Sequence, residues 1–306
     1  MAFGNQFLTE PALFPARCAG LPAGEARLAV ELPGGPYLLE GLSAGQHAAL
    51  ARRYGERCSS PAAGARGTEL RVFRADPSEF VTIDRRGWTN RFDFEYHERS
   101  VHVAGSQTMA RISWQPRLAA ALWTALDAGG EFLEAFENCF RVLSAYRLLE
   151  LGGAILHSSC VVSEGVAWVF LGPSGAGKTT IARLALASGR AVLSDDINAL
   201  RATDSAALVE KMPFAGELGP TNERVGPFPV AALARIEQAA RDSWRPLSTA
   251  AAVAAVLGCA PFVNGDPYRL PVLMDNLESL VRGIPTGVLE FSLGGAPWPV
   301  LEAATA

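Results

Sequence analysis

Closely spaced cysteine pairs are missing from this sequence: its five cysteines are scattered and none forms a C-x-x-C pair. Disulfide frameworks and zinc sites both need such spacing, so we expect isolated, buried thiols in a reducing cytoplasm. The chain also lacks any uninterrupted apolar run of about 18 residues, which predicts that no segment spans a membrane. Its N-terminus has no basic region followed by an apolar run, and we therefore expect no secretory signal.

An excess of positive charge is missing as well. The formal net charge of −4 over 306 residues gives no basic field that would recruit nucleic acid. Apolar residues make up 49% and charged residues 19% of the chain, which is typical of a globular protein with a large core. The length accommodates two domains of ordinary size or one large one. We expect a soluble, cytoplasmic protein without nucleic-acid or membrane partners.

Residues 1–115 have the composition of a small α+β domain. Residues 43–58 show a helical rhythm with Ser43 as its N-cap, and residues 88–105 alternate apolar and polar side chains as a hairpin does. Two further β-prone runs, broken by proline, glycine and aspartate, cover residues 26–42 and 68–84.

Residues 116–150 predict a helical bridge into a second domain. The Gly152-Gly153 pair predicts its end, and Gly129-Gly130 predicts a break between a short first helix and a longer second one. The longer helix carries apolar side chains at spacings of three and four, namely Phe132, Phe136, Phe140 and Leu143.

Residues 151–306 begin with the element order of an α/β domain. A β-prone run over 154–162 turns into a nearly all-apolar run over 166–172, which is typical of a strand covered on both faces. A glycine-rich loop, a helix and a third strand over 190–196 follow, and this order predicts a right-handed unit with a parallel strand pair. Farther along, we predict helices over 227–240 and 248–258 and a final strand over 287–295.

The loop GPSGAGKT, residues 172–179, fits the pattern G-x-x-x-x-G-K-[ST] in full. Its glycines let the backbone curl so that successive N–H groups point at phosphate oxygens, and the following helix adds its positive end. We expect Lys178 to reach the β- and γ-phosphates of a nucleotide and the Thr179 hydroxyl to bind Mg²⁺. The residues predicted to bind the nucleotide are Gly172, Pro173, Ser174, Gly175, Ala176, Gly177, Lys178, Thr179 and Thr180.

Three acids and a histidine are candidates for chemistry beside this loop. Asp195-Asp196 end the third strand, where they can hold a metal and take a proton from a hydroxyl; a solvated turn is the alternative. His157 lies one strand before the loop strand and is either a phosphate-site residue or a structural histidine. Glu217, in a Gly/Pro-bounded segment, is either a metal ligand, an acceptor contact or a solvated acid.

Cations downstream of the loop are further candidates for neutralising phosphate charge, although arginines on helices are more often simply solvated. They are Lys211, Arg224, Arg235, Arg241 and Arg245. We assign no chemistry to the remaining histidines, His47, His97 and His102.

In their order and approximate spacing, His157, the 172–179 loop and the segment 189–196 resemble the catalytic domain of the HPr kinase/phosphorylase family and its kinase-like relatives. That family has a histidine on the strand before a G-x-S-G-x-G-K-S loop, and a later strand that ends in Asp-Asp. The resemblance is specific over residues 150–200 and weaker over 200–300.

This resemblance implies an α/β P-loop kinase domain of the HPr kinase/PEP carboxykinase-like type over residues 151–306. It implies a serine kinase that uses ATP and Mg²⁺ and acts on a peptide or protein hydroxyl, and it is compatible with a homo-oligomer. Asp196 corresponds to the family's base, with Asp195 in support. His157 and Lys178 belong to the phosphate site, and the implied metal ligands are Thr179, Asp195 and Glu217.

Several positions depart from the family. Ser158 follows His157 where the family has glycine, and Thr180 stands where the family has an acid. Residues 1–115 differ from the phosphorylase's own N-terminal domain and are closer in character to kinase-like proteins encoded in bacterial peptide-modification or secretion clusters. These departures favour an acceptor other than HPr, with residues 1–115 as a substrate-recognition module.

Two alternative functions remain open at the level of sequence. One is a kinase for a small molecule such as free serine or a sugar, although a small acceptor needs no additional recognition domain. The other is a nucleotide-dependent switch or ATPase. Against this second alternative, the chain lacks both an N-K-x-D guanine-recognition sequence and a downstream apolar strand ending in a Walker B aspartate.

Overall fold

The computed structural model of the chain describes residues 20–80, 92–105, 107–204, 206–214, 216–219, 226–292 and 294–305. The chain divides into two compact units, Met1–Arg147 and Leu148–Ala306, which we call unit 1 and unit 2.

Unit 1 contains an eight-stranded mixed sheet. Its strands are β1 (Ala26–Val30), β2 (Tyr37–Leu42), β3 (Cys58–Ser59), β4 (Thr68–Arg74), β5 (Asp93–Tyr96), β6 (Ser100–Gly105), β7 (Thr108–Ser113) and β8 (Ala119–Thr124). Their spatial order is β3-β1-β2-β4-β8-β7-β6-β5. The neighbours of β4 run parallel to it, and the other pairs are antiparallel. The predicted hairpin over 88–105 is confirmed in its described part as the β5–β6 pair.

Two helices, α1 (Ala44–Tyr54) and α2 (Gly129–Glu150), accompany this sheet, together with 3₁₀ turns at Gly55–Arg57 and Pro77–Glu79. The predicted N-cap of α1 is confirmed. The Ser43 hydroxyl accepts a hydrogen bond from the Gln46 N–H, and the Gln46 side chain accepts one from the Ser43 N–H. This reciprocal pair satisfies two donors that a helix start leaves open.

The core of unit 1 forms where α2 brings its phenylalanines against the sheet. Phe132, Phe136 and Phe140 are fully buried, and the Phe140 ring meets Tyr37 of β2 edge-on at 5.0 Å between centroids. The predicted spacing of apolar residues on this helix therefore marks its buried face.

The first part of the predicted helical bridge is wrong. Residues 119–124 form the strand β8 between β4 and β7, and Gly129-Gly130 begin α2 instead of separating two helices. The segment is rich in alanine and leucine, which favours a helix locally. Two strand partners, one on either side, override that preference because they satisfy its backbone and bury its side chains.

Unit 2 contains the second eight-stranded sheet. Its strands are β9 (Gly153–Ser163), β10 (Val166–Leu171), β11 (Ala191–Ser194), β12 (Ile197–Ala202), β13 (Ala207–Lys211), β14 (Phe228–Gln238), β15 (Ser243–Pro246) and β16 (Thr286–Phe291). Its helices are α3 (Lys178–Ala187), α4 (Thr249–Leu257), α5 (Leu270–Arg282) and α6 (Trp298–Thr305), with a 3₁₀ turn at Val263–Gly265.

Five strands of this sheet close a ring. The pairings run from β10 through β9, β12 and β13 to β14, which pairs back with β10 in parallel. The first half of the long strand β9 pairs with β12, and its second half pairs with β10. Outside the ring, β11 pairs with β9, while β16 and β15 extend the sheet from β14.

The β9–β10 hairpin, the loop, α3 and β11 occur in the predicted order. Glu164 and Gly165 turn the hairpin with φ of 52° and 83°, and β10 is almost entirely buried. The predicted parallel pair of β10 with β11 is wrong, because β9 lies between these two strands and pairs antiparallel with both. The parallel neighbours are β10 with β14 and β14 with β16.

The predicted helix over 227–240 is also wrong, since residues 228–238 form β14. Alanines and leucines again resemble a helix locally, but β10 and β16 pair with the strand on both sides. The predicted helix over 248–258 and the predicted last strand are confirmed as α4 and β16. An apolar cluster packs α3 on this part of the sheet, with Phe170, Ile181 and Phe291 fully buried.

In its described residues, the protein is therefore a mixed α/β structure with two large mixed sheets and six helices. None of those helices combines the length and the apolar character that crossing a bilayer requires. Cys139, Cys160 and Cys259 are buried free thiols and Cys58 is a half-buried one, while Cys18 lies outside the described residues.

Candidate functional site

The glycine-rich loop connects the buried strand β10 to α3. Its backbone conformation and close contacts explain why glycine stands at several of its positions. Gly175 and Gly177 adopt φ of 81° and 105°, in the left-handed region that favours glycine. A Cβ at Gly177 would also lie 2.8 Å from Cζ of Phe291, and one at Gly172 would lie 2.8 Å from Cβ of Ala176. Gly172 and Gly177 thus leave no room for a side chain, whereas Gly175 is required by its backbone conformation.

The remaining loop residues are graded in exposure. Pro173 and Ser174 are exposed, Ala176 is half-buried, and Thr179 and Thr180 are half-buried in the first turn of α3. The helix begins at Lys178, so its first N–H groups lie at the end of the loop. Loop amides followed by a helix N-terminus can hold an anion.

Lys178 is folded onto this loop. Its side chain is buried, and Nζ donates to the carbonyl oxygens of Gly172 at 2.8 Å and Pro173 at 3.1 Å. Burial lowers the pKa of Lys178, whereas the nearby Cys259 and Asp196 act in the opposite direction. The ammonium group is therefore held at the loop, within electrostatic reach of the Asp196 carboxylate.

The Asp195-Asp196 pair directly follows β11, and Asp195 is held by a distant segment. Its Oδ2 accepts a hydrogen bond from the Leu218 N–H at 3.0 Å. A Cβ at Gly216 would lie 2.9 Å from Cβ of Asp196 and closer still to the Asp195 carboxylate. The turn that carries the exposed Glu217 therefore packs against this carboxylate pair. A metal ion bound by both Glu217 and Asp195 would require this turn to lie there.

His157 lies beside Asp196. Its Nε2 is 3.5 Å from Oδ1 of Asp196, with 47% of the His157 side chain and 26% of the Asp196 side chain exposed. The register explains the approach: Ile197 pairs with His157, and the Ser158 N–H donates to the Asp196 carbonyl at 2.9 Å. Both side chains remain accessible to a ligand.

Cys259 is a site residue that the sequence reasoning missed. Its carbonyl accepts a hydrogen bond from the His157 N–H at 2.7 Å, and its thiol is hydrogen-bonded to the Gly172 backbone. Burial raises the pKa of Cys259, while that bond and the Lys178 charge lower it. The residue connects the histidine strand to the loop, and no spacing rule links a cysteine to a loop eighty residues earlier.

A buried polar pair stabilises the part of the sheet that carries His157 and Asp196. The sequence reasoning also missed this pair. Asn198 and Ser158 are fully buried, and Asn198 Nδ2 donates to the Ser158 carbonyl at 2.8 Å and hydroxyl at 3.0 Å. Because side chains alternate along β9, Ser158 points inward while His157 points outward. The pair ties β9 to β12 next to His157 and Asp196.

The structure does not gather the downstream cations at the loop. Arg241 and Arg245 are exposed, and Arg235 forms an ion pair with Glu237 on β14. Lys211 ends β13 opposite Asn198, and Arg224 lies outside the described residues. Among the four that the structure describes, Arg235 is the one in register with the end of β10, opposite Leu171.

The assembled groups are a glycine loop, a buried lysine, two carboxylates and a histidine, at the ends of β10 and β11 and in the middle of β9. Loop amides and Lys178 can bind phosphate oxygens, carboxylates can bind a divalent cation, and Asp196 can accept a proton. Comparison with known proteins adds no family to this geometry: no protein-family model matches the chain, and no curated protein is significantly similar to it in sequence.

Proposed function

We propose that the protein is a kinase that uses ATP and Mg²⁺ to phosphorylate a serine or threonine hydroxyl of a peptide or protein. The observation that carries the proposal is the position of Asp196. Its carboxylate lies 3.5 Å from His157 Nε2 and within electrostatic reach of Lys178, which is bound to the glycine loop. A carboxylate at that position is suited to take the proton of an attacking hydroxyl.

The phosphate chain would be bound by the loop amides and Lys178. In the structure the Lys178 ammonium donates to two loop carbonyls, and a bound nucleotide would offer it phosphate oxygens instead. The N-terminus of α3 would stabilise the same negative charge. Binding and orientation of the γ-phosphate would therefore come from the 172–179 loop.

The donor chemistry fits Mg²⁺, because a hydroxyl and carboxylates are the hard oxygen ligands that it prefers. Thr179, Asp195 and Glu217 would hold it, with Glu217 carried to Asp195 by the turn that the Leu218 N–H anchors. When bound, Mg²⁺ neutralises charge on the β- and γ-phosphates.

In the transfer step, the acceptor oxygen forms a bond to the γ-phosphorus while the bond to the β-γ bridging oxygen breaks and ADP leaves. The hydroxyl proton passes to the Asp196 carboxylate, and His157 beside it orients that carboxylate. In such reactions, the rate acceleration comes from positioning the reactants and from stabilising the charge of the transition state.

The HPr kinase/PEP carboxykinase-like fold is part of this proposal. It is supported by the hairpin β9–β10 that leads into the loop, by α3, and by the Asp pair one strand later. The acceptor is proposed to be a polypeptide because unit 1 is a separate compact unit of its own, which a small acceptor would not require. A cavity of about 600 Å³ on the polar face of its sheet, lined in part by Arg71, Arg99 and Arg111, is a candidate recognition surface.

The destination of the γ-phosphate tests the proposal. The protein is incubated with γ-labelled ATP, Mg²⁺ and bacterial lysate or candidate peptides, with a chelator-treated sample and the Asp196→Asn variant in parallel. We expect label on a polypeptide, lost in both controls. Label released only as free phosphate would overturn the proposal in favour of an ATPase or switch, and label on a small metabolite would assign a small-molecule kinase.

Gly216→Ala is expected to lower the transfer rate by about 10- to 100-fold, since displacements of about 1 Å at a reacting site can cost that much. The added Cβ would collide with Asp195 and Asp196, so the turn carrying Glu217 must move. Initial rates are compared with those of Gly283→Ala. Position 283 has nothing within 4 Å and a φ of −103°, so the same change is harmless there. Equal rates in the two variants would show that the turn does not position the carboxylates.

A further inference from the structure

Three metal-binding side chains meet on one face of the β5–β6 hairpin in unit 1, away from the groups discussed above. Glu95 lies directly opposite His102 in the strand register, and His97 follows Glu95 by two residues. Because side chains alternate along a strand, all three share one face, while Phe94 and Tyr96 stack on the other at 5.8 Å between ring centroids.

The ligand atoms are close together. One atom from each of Glu95, His97 and His102 lies within 4.8 Å of the other two, and Nε2 of His97 is 3.4 Å from Oε1 of Glu95. The two imidazole rings are 4.8 Å apart between centroids. Zinc is bound by His nitrogen and Glu oxygen at about 2.0–2.2 Å, so these atoms would have to move closer to one another around the ion.

The surroundings suit an oriented ligand. His102 is buried, and Ser100 Oγ lies 3.3 Å from its Nε2, a second contact of the kind that fixes a ligating ring. Arg111 lies opposite His102 on β7, and its positive charge disfavours the binding of a metal cation there. The negative charge of the Glu95 carboxylate offsets this effect.

We propose that Glu95, His97 and His102 form a binding site for a divalent transition metal of the zinc class. Two imidazoles and one carboxylate are a ligand set that Zn²⁺ takes, whereas Mg²⁺ and Ca²⁺ prefer oxygen alone. Glu95 and His97 are only half-buried, so water can complete the coordination. Since β5 is an outermost strand of its sheet, the metal would fasten this edge to β6.

The test uses the full-length protein, stripped of metal with a chelator and without nucleotide, so that its result is independent of the proposed kinase activity. Zn²⁺ binding is measured by calorimetry and Co²⁺ binding by visible absorption. The variants are Glu95→Gln, which keeps the shape of the side chain, and His97→Ala. His47→Ala is the histidine control, and His157→Ala separates this site from the glycine-loop site.

We expect the wild-type protein to bind one zinc ion at this site, with affinity lowered at least about 10-fold in Glu95→Gln and His97→Ala, because even outer-shell contacts are worth 10- to 100-fold. His47→Ala and His157→Ala should retain that affinity. A wild-type protein that binds no zinc, or zinc that is lost in His157→Ala and kept in His97→Ala, would overturn the proposal.

Discussion

Asp196→Asn is expected to lower the rate of phosphoryl transfer by about 10²- to 10⁴-fold, the range that a general base contributes. Asparagine keeps the size of the side chain but cannot accept the hydroxyl proton. The backbone carbonyl of residue 196, which accepts from Ser158 N–H, is unchanged, so the β9–β12 corner should persist. The rate is measured as kcat in steady state, and nucleotide affinity is measured separately with a fluorescent ATP analogue.

Nucleotide affinity should change little in Asp196→Asn, since the loop and Lys178 are the groups proposed to bind the phosphates. Asp204→Asn is the matched control, because Asp204 is an exposed aspartate of the same unit that lies outside the carboxylate pair. A kcat within a few-fold of the wild type in Asp196→Asn would show that the proton goes elsewhere. An equal loss of kcat in Asp204→Asn would point to a general effect on the fold.

Lys178→Met is expected to lower kcat by about 10²- to 10³-fold, the effect of removing one preorganised donor from a developing charge. Methionine occupies a similar volume, so the buried position should remain packed. The carbonyls of Gly172 and Pro173 lose their donor; Pro173 is exposed, so water can replace the donor there, whereas Gly172 is buried. Initial rates at saturating ATP report the loss.

Lys211→Met is the natural control for this variant, because the chain contains no lysine besides Lys178 and Lys211. The same fact allows a direct test of proximity. An amine-reactive ATP analogue should label Lys178 in preference to Lys211, and excess ATP should prevent the labelling. Labelling of Lys211 alone would contradict the proposed orientation of the phosphates.

Local sequence patterns predicted elements well where a segment's own periodicity or end signals decide its structure. The cap at Ser43, the phenylalanine spacing of α2 and the all-apolar β10 belong to this group. Residues 119–124 and 228–238 were wrongly predicted as helical because alanine and leucine favour a helix in isolation. Both segments are inner strands, and the partners that decide their structure are distant in sequence.

The candidate site shows the same division. The loop, the Asp pair and His157 could be identified because each is a short pattern or stands in a fixed order along the chain. Cys259 and Gly216 could not, since their importance arises from contacts with residues that lie at least twenty positions away. Cys259 was classed with the inert thiols, and nothing in the spacing of the cysteines separates it from them.

The ring of strands in unit 2 limits how a polypeptide can reach Asp196. Both edges of β10 are occupied, by β9 on one side and β14 on the other. Many proteins capture an extended peptide by adding it as a further strand to an open sheet edge. The strand that leads into the glycine loop leaves no edge for this mode, so the proposed peptide acceptor would have to approach end-on, across the loop that follows β10.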